Sequence, residues 1–250
     1  MAKHLVVSHP SPLMLQQKTH SLKEIEKLET PYYKLFEELV GCGQTLRKGD
    51  EMVYYQAKNQ LSECQALLSD IQAFDPGFGR VWMASGFRTA QATSIHNGEY
   101  RRPTNYDWAL IEVPPERVGG NTTHEGHTLK QSPLPEDFCD LRLCISGQKS
   151  GYSEGYYNSL QEAHVNHEMV DEKIISVPTV EHSVIPKEDN LFFTKPGDSG
   201  ALVYTKDSHV VVGLCFAGQQ SLPSFTFFTH ISDLIADIKK STGATKVSLL

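Results

Sequence analysis

Apolar residues between positions 21 and 74 recur at three- and four-residue spacing, the period of a helix with one buried face. Ser21 and Glu24 form a capping-box pair around Leu22, with Ile25 and Leu28 behind. Thr30-Pro31 restarts the pattern, because proline suits the first turn of a helix. Leu35, Phe36, Leu39 and Val40 then share a face, and Gly41 and Gly43 end the run. A second run carries Leu61, Cys64, Leu67, Leu68, Ile71 and Phe74. The spacing predicts a helical hairpin packed on a core, since a partner-binding coiled coil would need more heptads.

The period changes after the turn Pro76-Gly77-Phe78-Gly79. Short apolar runs then predict strands at 80–87, 108–113, 138–145, 155–164, 173–180, 191–194, 201–205, 210–217 and 224–229. Clusters of Gly, Pro, Asn and Ser part them, the pattern of a barrel or sandwich. Residues 114–137 are polar and rich in Pro and Gly, and read as an interdomain linker. A closing helix is predicted over 232–240, with Ser232 as N-cap and Leu234, Ile235 and Ile238 on one face.

Composition narrows the function classes. The 250 residues are 39% hydrophobic and 21% charged, enough apolar surface for a packed core. A net charge of −7 argues against nucleic acid as a partner, since a phosphate-binding surface needs concentrated positive charge. No apolar run approaches the roughly 20 residues that span a bilayer, so no membrane partner is expected. Five scattered cysteines and no apolar leader predict reduced thiols in a cytoplasmic or nuclear protein.

No metal or other cofactor is predicted. His124-Glu125-Gly126-His127 misses the HExxH spacing by one residue. His164 and His167 lack a third ligand. Cys139 and Cys144 are five apart, so on one strand they face opposite sides.

The sharpest chemical signal is Gly197-Asp198-Ser199-Gly200, set between two apolar runs. Acyl transfer needs a serine on a tight turn with backbone N–H groups nearby, and flanking glycines permit that turn. The tetrapeptide by itself is equally a plain Asp/Gly turn. Its context adds Ala201-Leu202-Val203-Tyr204, then residues 210–218, then Phe225-Thr226-Phe227-Phe228-Thr229 and a helix.

In this order of elements the chain resembles the chymotrypsin-like serine proteases, both the trypsin group and intracellular relatives without disulfides. The resemblance implies Ser199 as nucleophile and the N–H groups of Gly197 and Ser199 as oxyanion hole. Asp107, opening Asp107-Trp108-Ala109-Leu110-Ile111, resembles the family's triad aspartate, which orients the base histidine; it lies about 90 positions before Ser199, the separation of this group. More narrowly, Val81-Trp82-Met83-Ala84-Ser85-Gly86-Phe87-Arg88, the Asp107 segment with Arg117 and Asn121, and Gly151-Tyr152-Ser153-Glu154-Gly155-Tyr156-Tyr157-Asn158 resemble fungal intracellular trypsin-like proteins.

The family places its base before the aspartate, in a small-residue–His–aliphatic context. His4 fits best, while His9, His20 and His96 read as turn, pre-cap and loop, and the other histidines follow Asp107. Few residues precede His4, so the expectation is a truncated start with the first barrel's early strands missing. The resemblance further implies a substrate pocket with Phe193 at its base and Ala217 and Gly218 on its wall. It also implies that Asp198 is held by side chains or backbone N–H groups in place of a new N-terminal amine.

The fold expected is mainly β: a chymotrypsin-like double β-barrel with an incomplete first barrel and an α-helical hairpin insertion. Residues 1–13 would be a strand remnant, 14–75 the helical insertion, 76–130 the partial first barrel, and 131–250 the second barrel with its helix. The expected function is a trypsin-like serine endopeptidase, or a truncated relative, acting on a peptide or protein substrate. The alternative is a catalytically inactive protease-fold module that binds peptides or protein partners.

Overall fold

The computed structural model describes residues 5–92, 103–131, 140–170, 173–188, 190–219 and 224–249. The chain forms two units, residues 1–81 with 111–117, and residues 82–110 with 118–250.

In the first unit, strand β1 (Val6–Ser8) pairs antiparallel with the start of β2 (Gly77–Ala84), Val6 opposite Arg80. A sheet of order β1-β2-β5 results, β5 being Ala109–Glu112. Backbones approach so closely here that a Cβ on Gly79 would lie 2.3 Å from the Glu112 carbonyl oxygen.

Helices α1 (Pro12–Gly41) and α2 (Lys48–Ala73) form the predicted hairpin. Ser11 caps α1, its side chain accepting from Met14 N–H, with Pro12 in the first turn. The Ser21–Glu24 capping box does not form. Ser21 lies inside α1 and its hydroxyl donates back to the Gln17 carbonyl at 3.0 Å.

Nor does Thr30-Pro31 break the chain, because α1 runs through Pro31. Proline there removes one N–H and costs the helix up to about 3 kcal/mol. Packing between the helices offsets this loss. Leu22, Tyr54, Ala57, Leu61 and Cys64 are buried. Tyr33 and Tyr54 stack at 5.8 Å, and both hydroxyls donate to Glu37 Oε1, at 2.7 and 2.6 Å.

The second unit holds a closed barrel of order β10-β11-β8-β7-β6-β9. Its strands are β6 (Arg142–Gly147), β7 (Gly151–Val170), β8 (Lys173–Pro186), β9 (Leu202–Thr205), β10 (Val211–Gln219) and β11 (Phe225–His230). β7 and β8 make a far longer hairpin than predicted, with a register shift between Asn158 and Glu162. The predicted strand 191–194 is instead an irregular approach to the turn that bears Ser199.

Leu143, Ile145, Val184, Phe193, Val203, Val212, Cys215 and Phe228 pack together as one buried core. A further pair, β3 (Arg88–Gln91) with β4 (Pro103–Tyr106), was not expected from the apolar pattern. A second core joins Tyr106 and Trp108 to Leu129, Tyr204 and Val211 and to Ile231, Leu234 and Ile238 of helix α3 (Ile231–Thr242). Asp237 on α3 accepts from Arg88 and from Trp108 Nε1, the latter at 2.8 Å.

His230, not Ser232, caps α3, accepting from Ser232 N–H. The polar stretch read as a linker is tied down over its described part. Leu129 is buried, and Lys130 and Val210 form a parallel bridge. The chain is thus mainly β, and its described residues form one closed barrel, two open sheets and a helical hairpin.

Candidate active site

Two strands of the barrel carry the turn that bears Ser199. Gly200 N–H donates to the Cys215 carbonyl at 2.8 Å, and Cys215 N–H to that of Ala201 at 3.0 Å. These bonds tie the end of the turn to β10. Asp198 N–H closes the turn on the Lys195 carbonyl at 3.0 Å. Gly197 and Gly200 take φ of 106° and 90°, a region that side chains with a Cβ rarely enter. The glycines on either side of Asp198-Ser199 are therefore required by the backbone.

Ser199 is exposed, and its hydroxyl donates to the Phe216 carbonyl at 3.2 Å. Among the described residues, nothing accepts a hydrogen bond from the N–H of Gly197 or of Ser199.

Asp198 is 2% exposed. Its Oδ1 accepts from Lys149 N–H at 2.6 Å and Ser150 N–H at 3.3 Å. Its Oδ2 accepts from Ser150 N–H at 3.2 Å and Lys195 N–H at 2.8 Å. Burial works to raise this carboxyl's pKa, but the N–H bonds from Lys195, Lys149 and Ser150 outweigh it and hold it below the ordinary aspartate range. Backbone N–H groups thus occupy Asp198, as expected. Cys215, under the turn, is a neutral thiol: burial, with the Asp198 charge, pushes it up to about 12.

Ala217 is half-buried and Gly218 exposed. A Cβ on Gly218 would meet Thr194 Oγ1 at 3.2 Å, and that hydroxyl pairs with Thr226 Oγ1 at 2.7 Å. Phe193 is 0% exposed and its ring fills the barrel core, so it presents no surface to a ligand.

Asp107 stands exposed between β4 and β5, flanked by buried Tyr106 and Trp108. Among the described residues, no hydrogen bond or ion pair joins it to Ser199 or to a histidine. His4 lies outside the described residues. The structure therefore gathers Gly197, Asp198, Ser199, Ala217 and Gly218 around β10, and brings no described histidine to Ser199.

The apolar pattern gave no hint of Thr194, Thr226, Asn105 or Glu181. Each is buried and hydrogen-bonded, yet a polar residue in a strand ordinarily reads as facing water. His124 and His127 flank the Glu125 carboxylate at 3.8 and 3.7 Å. Among the described residues, no group of three or more His, Cys, Asp or Glu could hold a metal ion. No described helix is long and apolar enough to cross a membrane.

The chain matches no protein-family model and no curated protein. Similar solved structures include a glutamic acid specific serine protease described as using a novel histidine triad in substrate binding. It is 10% identical, over 63% of this chain and 71% of that one, with a TM-score of 0.36. Another is the Rv3671c protease from M. tuberculosis in its active form, 12% identical over 68% and 66% of the two chains, TM-score 0.39. A third is Cellulomonas bogoriensis chymotrypsin, 15% identical over 69% and 81%, TM-score 0.33.

Proposed function

We propose that this chain is a serine endopeptidase-type protein whose reacting group is Ser199. One observation carries the reading: an exposed serine on a turn fixed by two glycines of positive φ, whose Gly197 and Ser199 N–H groups have no acceptor among the described residues. In acyl transfer, Ser199 Oγ attacks the carbonyl carbon of a peptide bond and gives its proton to a histidine base. The oxygen that becomes negative accepts from the N–H groups of Gly197 and Ser199. The base returns the proton to the leaving amine, and water then releases the acyl group. In this reading His4 is the base and Asp107 orients it. The substrate is a peptide or protein laid along β10, its side chain beside Ala217 and Gly218, with Phe193 behind the pocket.

A second reading is a peptide-binding module of the same fold without catalysis. It is favoured by the exposed, unpaired position of Asp107 among the described residues. A fluorophosphonate probe separates the two, since Ser199 needs a base to react at neutral pH. We expect one covalent adduct, mapped to Ser199 by mass spectrometry and abolished in Ser199→Ala. No adduct, with retained binding of peptides, overturns the first reading in favour of the second.

A further inference from the structure

We propose that the outward face of α1 docks a basic amphipathic helix of a partner protein, on an apolar seam made by Ile25, Leu28, Tyr32, Leu35 and Leu39. Docking here requires nothing of Ser199.

Within its unit, the helical hairpin is packed on one side only. α1 and α2 pack on each other, and among the described residues neither makes more than slight contact with β1, β2 or β5. α1 contributes a single buried apolar side chain, Leu22, to that packing. The seam is left uncovered: Ile25, Leu28, Tyr32 and Leu35 are between 38% and 65% exposed, and Leu39 is half-buried.

Scattered apolar side chains on a surface need no explanation, but these five have a period. They follow one another at three, four, three and four residues. Those are the a and d positions of a heptad, which a second helix with the same repeat meets knob into hole. Lys18 and Ser21, at the preceding a and d positions, end the seam on one side, and the helix ends at Gly41 on the other. About two heptads are too few for a self-standing coiled coil. α2 already holds α1 in shape, however, so a partner docks on a formed helix.

Charge selects the occupant. With Ile25 and Tyr32 at a, the bordering e and g positions are Glu24, Glu29, Pro31, Phe36 and Glu38. Phe36 turns against Tyr54 of α2. The three carboxylates form no ion pair or hydrogen bond among the described residues. Lys23, Lys27 and Lys34 fall at f and c, away from the seam. The apolar stripe is therefore bordered by unpaired acid, which Lys or Arg beside the apolar stripe of a partner helix complements. A second copy of this chain brings the same glutamates, so pairing in either direction sets carboxylate against carboxylate.

Two peptides of about three heptads test the proposal on the full chain. Both carry Leu at a and d and Ala or Gln at b, c and f. One has Lys at e and g, the other Glu. Fluorescence anisotropy at about 0.1 M salt reads their binding. The Lys peptide should bind more tightly than the Glu peptide by roughly tenfold or more. Leu28→Ser combined with Leu35→Ser, which leaves every charge in place, should weaken the Lys peptide by roughly tenfold or more. Glu24→Lys combined with Glu38→Lys should invert the preference between the peptides. Circular dichroism should show unchanged helix content in each variant, since all four side chains are exposed. If the serine pair loses helix, the lysine pair decides.

Failure of both peptides to bind, or equal binding of the two, overturns the proposal. So does binding of the Lys peptide that neither pair of substitutions alters, because the protein's net charge of −7 would then explain it. A dimer in sedimentation velocity that the serine pair abolishes overturns it too, and makes a second copy the occupant.

Discussion

Asn105 and Glu181 meet inside the barrel unit through two bonds to a single oxygen. The backbone N–H and side-chain amide of Asn105 both donate to Glu181 Oε1, at 2.9 and 2.8 Å. Thr104 donates to Oε2 at 2.6 Å, Asn166 donates to Asn105 Oδ1 at 2.6 Å, and Thr229 donates to the Asn105 carbonyl at 2.8 Å. β4 is thereby fixed on β8 two residues before Asp107.

Removing that acceptor strands buried donors. Glu181→Ala leaves the Asn105 N–H and the Thr104 hydroxyl without partners, at about 1–3 kcal/mol for each such group, while the Asn105 amide keeps its bond to Thr179 Oγ1. We expect a loss of about 3 kcal/mol in urea unfolding, with Glu181→Gln losing less than half of it, because Gln keeps an oxygen toward Asn105. Equal losses in the two variants would show that packing, not the acceptor, matters.

The same residue sets a pH dependence. Burial raises the Glu181 carboxyl above its ordinary range, only partly offset by the bonds from Thr104, Thr179 and Asn105. The folded state therefore holds this proton more tightly than the unfolded chain does. Its contribution is complete below the ordinary glutamate range and is lost as pH rises through the higher folded value. Relative to the unmodified protein, Glu181→Gln should gain stability progressively as unfolding is repeated from pH 4 upward. A difference independent of pH would contradict this.

In the hairpin, Pro31 interrupts the hydrogen bonding of α1 without ending it. Its missing N–H leaves the Lys27 carbonyl without its helical donor, whereas the Thr30 hydroxyl reaches the Glu26 carbonyl at 2.6 Å. Pro31→Ala should stabilise the hairpin by about 1–3 kcal/mol. Circular dichroism on heating reads this directly, and an unchanged or lower midpoint would count against a continuous helix.

Glu37 accepts from two tyrosines at once, and these bonds push the Tyr54 hydroxyl up to about 12, with Tyr33 raised for the same reason. In a titration followed at the tyrosinate absorbance, Glu37→Ala should bring both into the ordinary range. A titration curve that does not move would show that the Tyr–Glu pairs do not hold in solution.

Specificity follows from what surrounds Gly218. The three nearest described atoms to a Cβ on Gly218 are the Thr194 and Thr226 hydroxyl oxygens and the Phe225 carbonyl oxygen, none of them a carboxylate. A cation buried without a counter-charge costs several kcal/mol, on the order of 3–5. Peptide aldehydes ending in alanine or valine should therefore compete for fluorophosphonate labelling of Ser199 better than those ending in lysine or arginine. The reverse order would place an acid in the pocket.

Much of the architecture was legible along the chain, because side-chain period is local. The three-and-four spacing over 21–74 determined a helical hairpin, and short apolar runs parted by turn residues determined most of the barrel strands. Gly197 and Gly200 marked a turn that only glycine permits, with a serine at its apex. What lay beyond reach were partners set by closure of the barrel. Lys149 stands 49 residues from Asp198, and Asn105 76 residues from Glu181. No periodicity within one strand encodes which distant N–H a buried carboxylate will meet. Phe193 became core because the barrel closes around the approach to Ser199, and Pro31 stayed helical because α2 packs against α1. In each case contacts formed between segments outweighed the preference of the local sequence.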